Sequence, residues 1–203
     1  MAPSRHLCSL LFCDIRGFSG LLERLPPEEG FGYIQDFLKH LSPAIQEQGG
    51  AINNLTGDGF LAEFGIQTPG ADHAARALNA AIAARRRLSE FNQSRHHTRR
   101  PVVTIGMGVH TGIVIGGALS FGGYQTYGLI GEAVNLAARL EKLTKEFSVD
   151  ALVSEETRRL LPDDAPLIAM PAKSVPGKIG SWKSYWLKPG ARPVARGADH
   201  DSR

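Results

Sequence analysis

A tight β-hairpin is predicted for residues 53–65, NNLTGDGFLAEFG, and this segment constrains the fold most strongly. Gly57 and Gly59 stand on either side of Asp58, and glycine frees the backbone for the conformations that a short turn requires. The chain is therefore expected to contain an antiparallel strand pair with a carboxylate at its tip. Gly-Asp-Gly is also common in turns that have no further role, so Asp58 alone does not identify a function.

A second carboxylate, Asp14, ends the apolar run in LLFCDIRGFS (residues 10–19). The run predicts a strand that turns into a helix just after Asp14. Asp14 could simply cap that helix, because aspartate is common at helix starts. Placed at adjacent strand ends, however, Asp14 and Asp58 could chelate a pair of hard divalent cations, an arrangement that serves displacement reactions at phosphorus.

A third segment, GLIGEAVNLAARLEK (residues 128–142), contains Asn135 and Arg139. The two residues are four positions apart and therefore lie on the same face of the predicted helix. Arg139 could instead pair with Glu132 or Glu141 at the surface, where an ion pair stabilises a protein very little. The segment therefore adds an amide and a guanidinium group to the candidate site.

The rest of the chain alternates strands and helices, with a glycine-rich stretch at residues 116–125 that is predicted to be a mobile arm. This order, with both hairpins and crossovers, predicts an α+β fold with a ferredoxin-like core: a mostly antiparallel sheet with flanking helices. One domain is expected over residues 1–188, followed by a disordered tail at 189–203. Strands are predicted at about residues 7–14, 51–56, 59–64, 102–110, 151–153 and 183–188, and helices at about 19–48 with a break at Pro26-Pro27, 71–92, 131–147 and 155–161.

Composition agrees with one compact domain. The chain has 203 residues, of which 42% are hydrophobic, and this is enough to bury a full core. The net charge of +3 is spread out and is not interleaved with aromatic residues, so no nucleic-acid partner is expected. No apolar run approaches the roughly 18 residues that a membrane span needs, and we expect a cytoplasmic protein without a membrane partner.

Taken together, the three segments resemble the class III nucleotidyl cyclases, the family of adenylate and guanylate cyclase catalytic domains. The resemblance covers about residues 7–188. It implies that Asp14 and Asp58 bind two divalent cations, Mg²⁺ or Mn²⁺, with help from the Ile15 carbonyl group. It further implies conversion of a nucleoside triphosphate to a 3′,5′-cyclic nucleotide and pyrophosphate.

The resemblance also assigns roles in substrate binding. In the family, the residue matching Asn135 orients the ribose, and the residue matching Arg139 stabilises charge on the α-phosphate, a task that suits a permanently charged guanidinium. These residues face the metal pair of a second subunit, so a homodimer is expected. Backbone amides that follow Asp14 can receive triphosphate oxygens at the start of a helix, at Gly17, Phe18 and Ser19.

The chain departs from the family pattern in the base pocket. Adenylate cyclases usually carry Lys four residues before the second metal aspartate, with Asp or Thr later; guanylate cyclases carry Glu and commonly Cys. Here the two positions hold Asn54 and Gly128. Lys only donates and Glu only accepts, whereas Asn does both. Adenine, and so ATP to cAMP, is the default, and a pyrimidine stays open because of a resemblance to the cytidylate and uridylate cyclases of bacterial anti-phage defence.

A lysine near the last strand is a further candidate for binding the triphosphate. The segment VPGKIGSWKSYWL (residues 175–187) offers Lys178, with Lys183 as the substitute. A catalytically silent domain that binds a nucleotide is the alternative from another functional class. Loss of a metal aspartate or of the Asn-Arg pair would favour it, and the chain has all four residues.

Overall fold

The structure is a computed structural model that describes residues 2–174 and 181–196. Its strands and helices follow in chain order. The strands are Ser4–Ile15 (β1), Ala51–Leu55 (β2), Gly59–Phe64 (β3), Ile105–Phe121 (β4), Tyr124–Ile130 (β5), Ala151–Ser154 (β6), Leu167–Ala169 (β7), Lys173–Ser174 (β8), Ser181–Trp182 (β9) and Ser184–Leu187 (β10). The helices are Phe18–Leu22 (α1), Pro27–Gln46 (α2), His73–His97 (α3), Glu132–Glu146 (α4) and Glu155–Arg158 (α5).

The main sheet has the strand order β2-β3-β1-β4-β6-β10-β7, and β5 pairs with β4 outside this path. Neighbouring strands are antiparallel except for β4 and β6, which are parallel. The first half of the chain runs strand, helices, two strands, helix, strand, and its strands lie in the spatial order β2-β3-β1-β4. This is the ferredoxin-like arrangement, and it confirms the predicted α+β fold with a mostly antiparallel sheet.

Alternation along β1 separates the two layers that cover the sheet. Leu11 and Cys13 pack in the core beneath α2 and α3. Leu10 packs in a second cluster with Ala137 of α4. Asp14 lies an even number of residues from Leu10, so its side chain leaves the sheet on the α4 side.

Glycines on β4 let α4 lie unusually close to the sheet. A Cβ atom at Gly108 would come closer than 3.0 Å to the Ala137 carbonyl oxygen and the Glu141 amide nitrogen. One at Gly112 would come as close to the Ala133 side chain. Because these neighbours are mostly backbone, a larger residue would push the helix away. The glycines therefore fix the height and the orientation of α4 above β1 and β4.

The glycine-rich stretch predicted as a mobile arm is part of a β-hairpin. Strand β4 continues to its end at Phe121, and β5 returns from Tyr124, directly opposite it. Gly122 and Gly123 connect the strands, both with positive φ angles, as in the type I′ turns that suit two-residue hairpins. The prediction of a mobile arm was therefore wrong, and the predicted strands lacked β5.

The predicted disordered tail is partly packed against the domain. Asn79 of α3 donates to the Val194 carbonyl group at 3.0 Å and accepts from the Val194 amide at 2.8 Å. Residues 189–196 thus follow the surface of α3, which corrects the prediction for this part; residues 197–203 lie outside the described residues. No helix in the described ranges is both long and apolar enough to cross a membrane.

Candidate active site

The Asp58 turn is a two-residue hairpin between β2 and β3. The Thr56 amide donates to the Gly59 carbonyl group at 2.9 Å and closes the turn. Gly57 has a φ angle of 87°, a conformation that glycine adopts freely at the first turn position. Asp58 therefore stands at the tip, and its backbone is fixed by the strand pair behind it.

Strand pairing brings Asp14 next to this turn. Gly59 is the residue opposite Asp14 in the β1–β3 ladder. The Ile15 amide donates to the Asp58 carbonyl group at 3.0 Å. A Cβ atom at Gly59 would come closer than 3.0 Å to the Cys13 carbonyl oxygen, so glycine is needed for this approach. The structure thus brings Asp14, Ile15 and Asp58 together.

The two carboxyl groups interact strongly. Burial raises the pKa of Asp14 to about 7, and the hydrogen bond and the negative charge of Asp58 act in the same direction. Ionising Asp14 so close to Asp58 is costly, and a bound divalent cation would offset this cost. Their oxygens are the hard ligands that Mg²⁺ and Mn²⁺ prefer, so this pair fits such ions. Across residues 2–174 and 181–196, no group of three or more His, Cys, Asp or Glu side chains could hold a metal ion.

Glu141, which the sequence analysis treated as a possible surface partner of Arg139, is buried beside this pair. It is only 2% exposed. Its Oε1 atom has no hydrogen-bond partner in the described part of the chain. A Cβ atom at Gly106 would overlap Oε1, and Gly106 is directly opposite Asp14 in the β1–β4 ladder. Glu141 therefore occupies the space where a side chain next to Asp14 would otherwise lie.

Three basic groups act on Glu141: Lys145, Arg16 and Lys142. Arg16 donates to the Thr144 hydroxyl group at 2.9 Å and also to the Val149 carbonyl group. Burial raises the pKa of Glu141, while the charges of Lys145 and Arg16 oppose this shift. Neither Glu141 nor Arg16 was among the predicted site residues. The spacing of Glu141 from Ala137, one helical turn earlier on the buried face of α4, is the sequence signal that could have identified it.

The segment predicted to bind the triphosphate follows directly. Gly17 has a φ angle of 67° and precedes α1, which is little more than one turn long. The Phe18 side chain is buried, and its ring centroid lies 5.9 Å from that of Tyr33. Ser19 is exposed and lines an open cavity of about 670 Å³ together with Asp58. Most of its lining is apolar and includes Leu22, Phe31 and Ile34, so Asp58 and Ser19 supply the polar side chains of this cavity.

Asn135 and Arg139 lie on α4, on other faces of the helix than Glu141. Asn135 is exposed and Arg139 is half-buried. Within the described ranges Arg139 forms no ion pair, so the surface bridge considered above is not formed. The glycine contacts place the start of α4 over Gly112 and Glu141 over Gly106. The Asp14 end of β1 is thus close to Glu141, and Asn135 lies further back along the helix.

The two predicted base-reading positions lie on strands that contact each other. Asn54 is exposed at the end of β2, after a bulge in the pairing with β3. The bulged residue, Asn53, donates from its side chain to the Tyr127 carbonyl group at 3.1 Å. Gly128 follows Tyr127, so the bond draws Asn54 and Gly128 towards each other. Asn53 is a residue that the sequence analysis did not identify.

The lysine candidates are only partly described. Lys178 lies outside the described residues. Lys183 is exposed between β9 and β10. The structure therefore leaves the choice between them as a prediction.

Comparison with known proteins agrees with this arrangement. The sequence pattern described as "Adenylate and Guanylate cyclase catalytic domain" matches residues 2–189. The adenylate cyclase of Anabaena cylindrica is 35% identical over 164 residues, which are 79% of this chain and 32% of that protein. Adenylate cyclase 1 of Rhizobium meliloti is 28% identical over 153 residues, 75% of this chain and 23% of that protein. The chain thus spans a third or less of the length of these curated relatives.

Solved structures match nearly the whole chain. The adenylyl cyclase CyaB from P. aeruginosa has a TM-score of 0.87 and 27% identity, covering 96% of this chain and 100% of that one. The guanylyl cyclase Cya2 has a TM-score of 0.85 and 25% identity, with 98% of each chain covered. The family match, the fold and the Asp14–Asp58 geometry lead to one conclusion: this chain belongs to the adenylate and guanylate cyclase catalytic domain family.

Proposed function

We propose that this chain is a nucleotidyl cyclase that converts a nucleoside triphosphate to a 3′,5′-cyclic nucleotide and pyrophosphate. The observation that carries the proposal is the pair of carboxylates, Asp14 and Asp58. The hydrogen bond from the Ile15 amide to the Asp58 carbonyl group holds their backbones together. Each stands in the sequence setting that the family match covers. A silent domain would have no need for such a mutually repelling pair.

The reaction needs charge stabilisation and positioning more than covalent chemistry from the protein. When bound, two Mg²⁺ or Mn²⁺ ions lower the pKa of the ribose 3′-hydroxyl group and neutralise the phosphates. Asp14 and Asp58 would hold them, with the Ile15 carbonyl group. The 3′-oxygen bonds to the α-phosphorus as the bond to the bridging oxygen breaks, pyrophosphate leaves, and the hydroxyl proton passes to solvent. Arg139 stabilises the α-phosphate charge and Asn135 orients the ribose.

A homodimer completes the site in this proposal, because Arg139 and Asn135 lie on other faces of α4 than Glu141, the residue of this helix that adjoins Asp14. An exposed apolar patch supports an interface. Leu7 is opposite Ile113 in the β1–β4 ladder, and Ile115 is opposite Ile130 in the β4–β5 ladder. All four are exposed and lie on one face of the sheet beyond the helices. Contiguous exposed apolar surface of this kind is typical of protein interfaces.

ATP is the proposed substrate, and cAMP the product. The support is similarity to proteins named adenylate cyclases, including one at 35% identity. Asn54 can donate to an acceptor on adenine, while Gly128 contributes no side chain. CTP and UTP are the competing substrates, because Asn54 can present either a donor or an acceptor to a pyrimidine.

The test is incubation of the purified protein with ATP, GTP, CTP or UTP and Mn²⁺, followed by chromatography and mass spectrometry. We expect a 3′,5′-cyclic nucleotide and an equal amount of pyrophosphate, with ATP giving the highest rate. Asp58→Asn should abolish product, and Asp163→Asn, which removes a fully exposed carboxylate, should not. Absence of a cyclic product with all four triphosphates would refute the proposed function. A higher rate with CTP or UTP would refute only the choice of ATP.

A further inference from the structure

Glu141 is a buried carboxylate that the reaction proposed above does not use. It lies on α4 with 2% of its surface exposed, and its Oε1 atom has no hydrogen-bond partner in the part of the chain that is described. Oε1 lies over Gly106, the residue opposite Asp14. Directly opposite residues of an antiparallel pair have Cβ positions about 4.5–5.5 Å apart, so the free oxygen lies within a few ångströms of the Asp14 side chain.

The charge of Glu141 changes the net charge around the Asp14–Asp58 pair. Asp14 is affected by the charges of Asp58, Glu141 and Lys145, and Glu141 by those of Lys145, Arg16, Lys142 and Asp58. With both aspartates ionised, the two acidic ligands and the three basic groups leave a net charge of +1 without Glu141. Such a site repels a cation. Glu141 adds the third negative charge and brings the cluster to neutrality.

Burial strengthens the effect of this charge. Electrostatic interactions inside a protein are screened less than at its surface. A free, desolvated carboxylate oxygen is costly unless some positively charged or donating group satisfies it. Arg16 does not do so fully, because its Nη2 atom is engaged by Thr144 and Val149 and its Nε atom has no partner among the described residues.

We propose that Glu141 is a positioning residue that sets the affinity of the Asp14–Asp58 pair for divalent cations. It acts through its charge and its fixed place beneath the pair, and it offsets Arg16 and Lys145. The inference rests on the proposed function in one respect, the assignment of Asp14 and Asp58 as metal ligands. A purely structural role, in which Glu141 only neutralises Arg16 in the protein interior, makes a different prediction.

The test measures Mn²⁺ binding, not turnover. Free Mn²⁺ is followed by electron paramagnetic resonance during titration of the full chain at pH 8, where Asp14 is ionised. Glu141→Gln keeps the shape of the side chain and removes its charge, and we expect it to weaken Mn²⁺ binding by about tenfold or more. Glu146→Gln is the matched control on the same helix, because Glu146 is exposed and pairs with Lys173. It should leave Mn²⁺ affinity unchanged.

A charge change of the opposite sign provides a second test. Lys145 is exposed and lowers the pKa of Asp14, so Lys145→Gln should tighten Mn²⁺ binding by about threefold. If Glu141→Gln fails to fold, Lys145→Gln still tests whether the charges next to the Asp14–Asp58 pair set its Mn²⁺ affinity. Circular dichroism and a thermal melt establish the folded state of each protein. The structural role predicts a lower melting temperature for Glu141→Gln with Mn²⁺ affinity unchanged.

Three results would overturn the proposal: Mn²⁺ affinity of folded Glu141→Gln within twofold of the wild type, no tightening in Lys145→Gln, or a Mn²⁺ site that survives Asp14→Asn. These results are distinct from failure of the proposed function. Formation of a cyclic nucleotide with equal Mn²⁺ affinity in wild type and Glu141→Gln refutes the role of Glu141 alone. Mn²⁺ binding that depends on Asp14 and Glu141, without a cyclic product, supports the role of Glu141 and refutes the cyclase.

Discussion

Replacing Asp14 by Asn should stabilise the metal-free protein at alkaline pH. Burial and the neighbouring Asp58 raise the pKa of Asp14 from 3.8 to about 7. The folded protein therefore binds this proton more tightly than the unfolded chain does. Stability must then fall as the pH rises from about 4 to about 7, and the full loss is present above pH 7. Asn cannot ionise and does not have this loss.

The size of the effect follows from the pKa shift. About three pKa units at about 1.4 kcal/mol each give an upper limit of about 4 kcal/mol. Asp14 is only half-buried, and solvent screening reduces this to about 2 kcal/mol. For a chain of 203 residues, a change of about 2 kcal/mol corresponds to roughly 4–8 °C in melting temperature. Below about pH 4 the two proteins should be equally stable.

Urea unfolding followed by tryptophan fluorescence, in EDTA at several pH values from 4 to 8, measures this difference. The comparison of variant with wild type cancels the titration of other groups. Asp163→Asn removes a fully exposed carboxylate and should show no pH-dependent gain. Added Mn²⁺ should stabilise the wild type and not Asp14→Asn, because binding to the folded state alone stabilises it. A difference between Asp14→Asn and wild type that does not change with pH would refute the reasoning.

Further predictions concern the shared site, the base and the helix. Asp58→Ala and Arg139→Ala should each be inactive, and mixing them should restore cyclase activity in heterodimers; inactivity despite proven subunit exchange would contradict the composite site. Asn54→Lys should favour ATP and CTP over GTP and UTP by roughly tenfold, because a donor left unpaired against a bound base that excludes water costs about 1–3 kcal/mol; unchanged relative rates would show that Asn54 does not contact the base. Gly108→Ala should destabilise the fold by about 2 kcal/mol in urea unfolding, since its Cβ would meet the Ala137 carbonyl group; full stability would contradict the close approach of α4.

The core strands could be predicted because each has a clear local pattern. Strand β1 is an apolar run, and the β2–β3 hairpin has a glycine-flanked turn, so both were located closely. Strand β5 had no such pattern. It pairs on one side only and its residues are exposed or half-buried, so no apolar alternation marks it. Its pairing with β4 depends on a turn, Gly122-Gly123, that resembles a flexible linker in the sequence.

The candidate site was predictable to the same extent. Asp14 and Asp58 stand at strand ends that local patterns define, and their proximity follows from pairing of β1 with β3. Arg16 was missed because its partners, Thr144 and Val149, are more than a hundred residues away along the chain. Glu141 was placed at the surface because charged residues are seldom fully buried. Its spacing from Ala137 indicates the buried face of α4, and the close packing of α4 on glycines brings it next to Asp14.

In the proposed dimer, helix α4 presents groups to two different sites. Glu141 faces Asp14 of its own chain, and Arg139, two residues earlier, points about 200° away around the helix. Arg139 is then free to serve the metal pair of the partner. The mixed dimer separates these roles, because its one intact site combines the carboxylates of the Arg139→Ala subunit with Arg139 of the Asp58→Ala subunit. Glu141→Gln placed in the first subunit should raise the Mn²⁺ concentration needed for activity. Placed in the Asp58→Ala subunit, Glu141→Gln lies next to a metal site that already lacks Asp58, and the Mn²⁺ concentration needed for activity should not change. An equal effect from both positions would show that Glu141 acts on the helix, not on the cations.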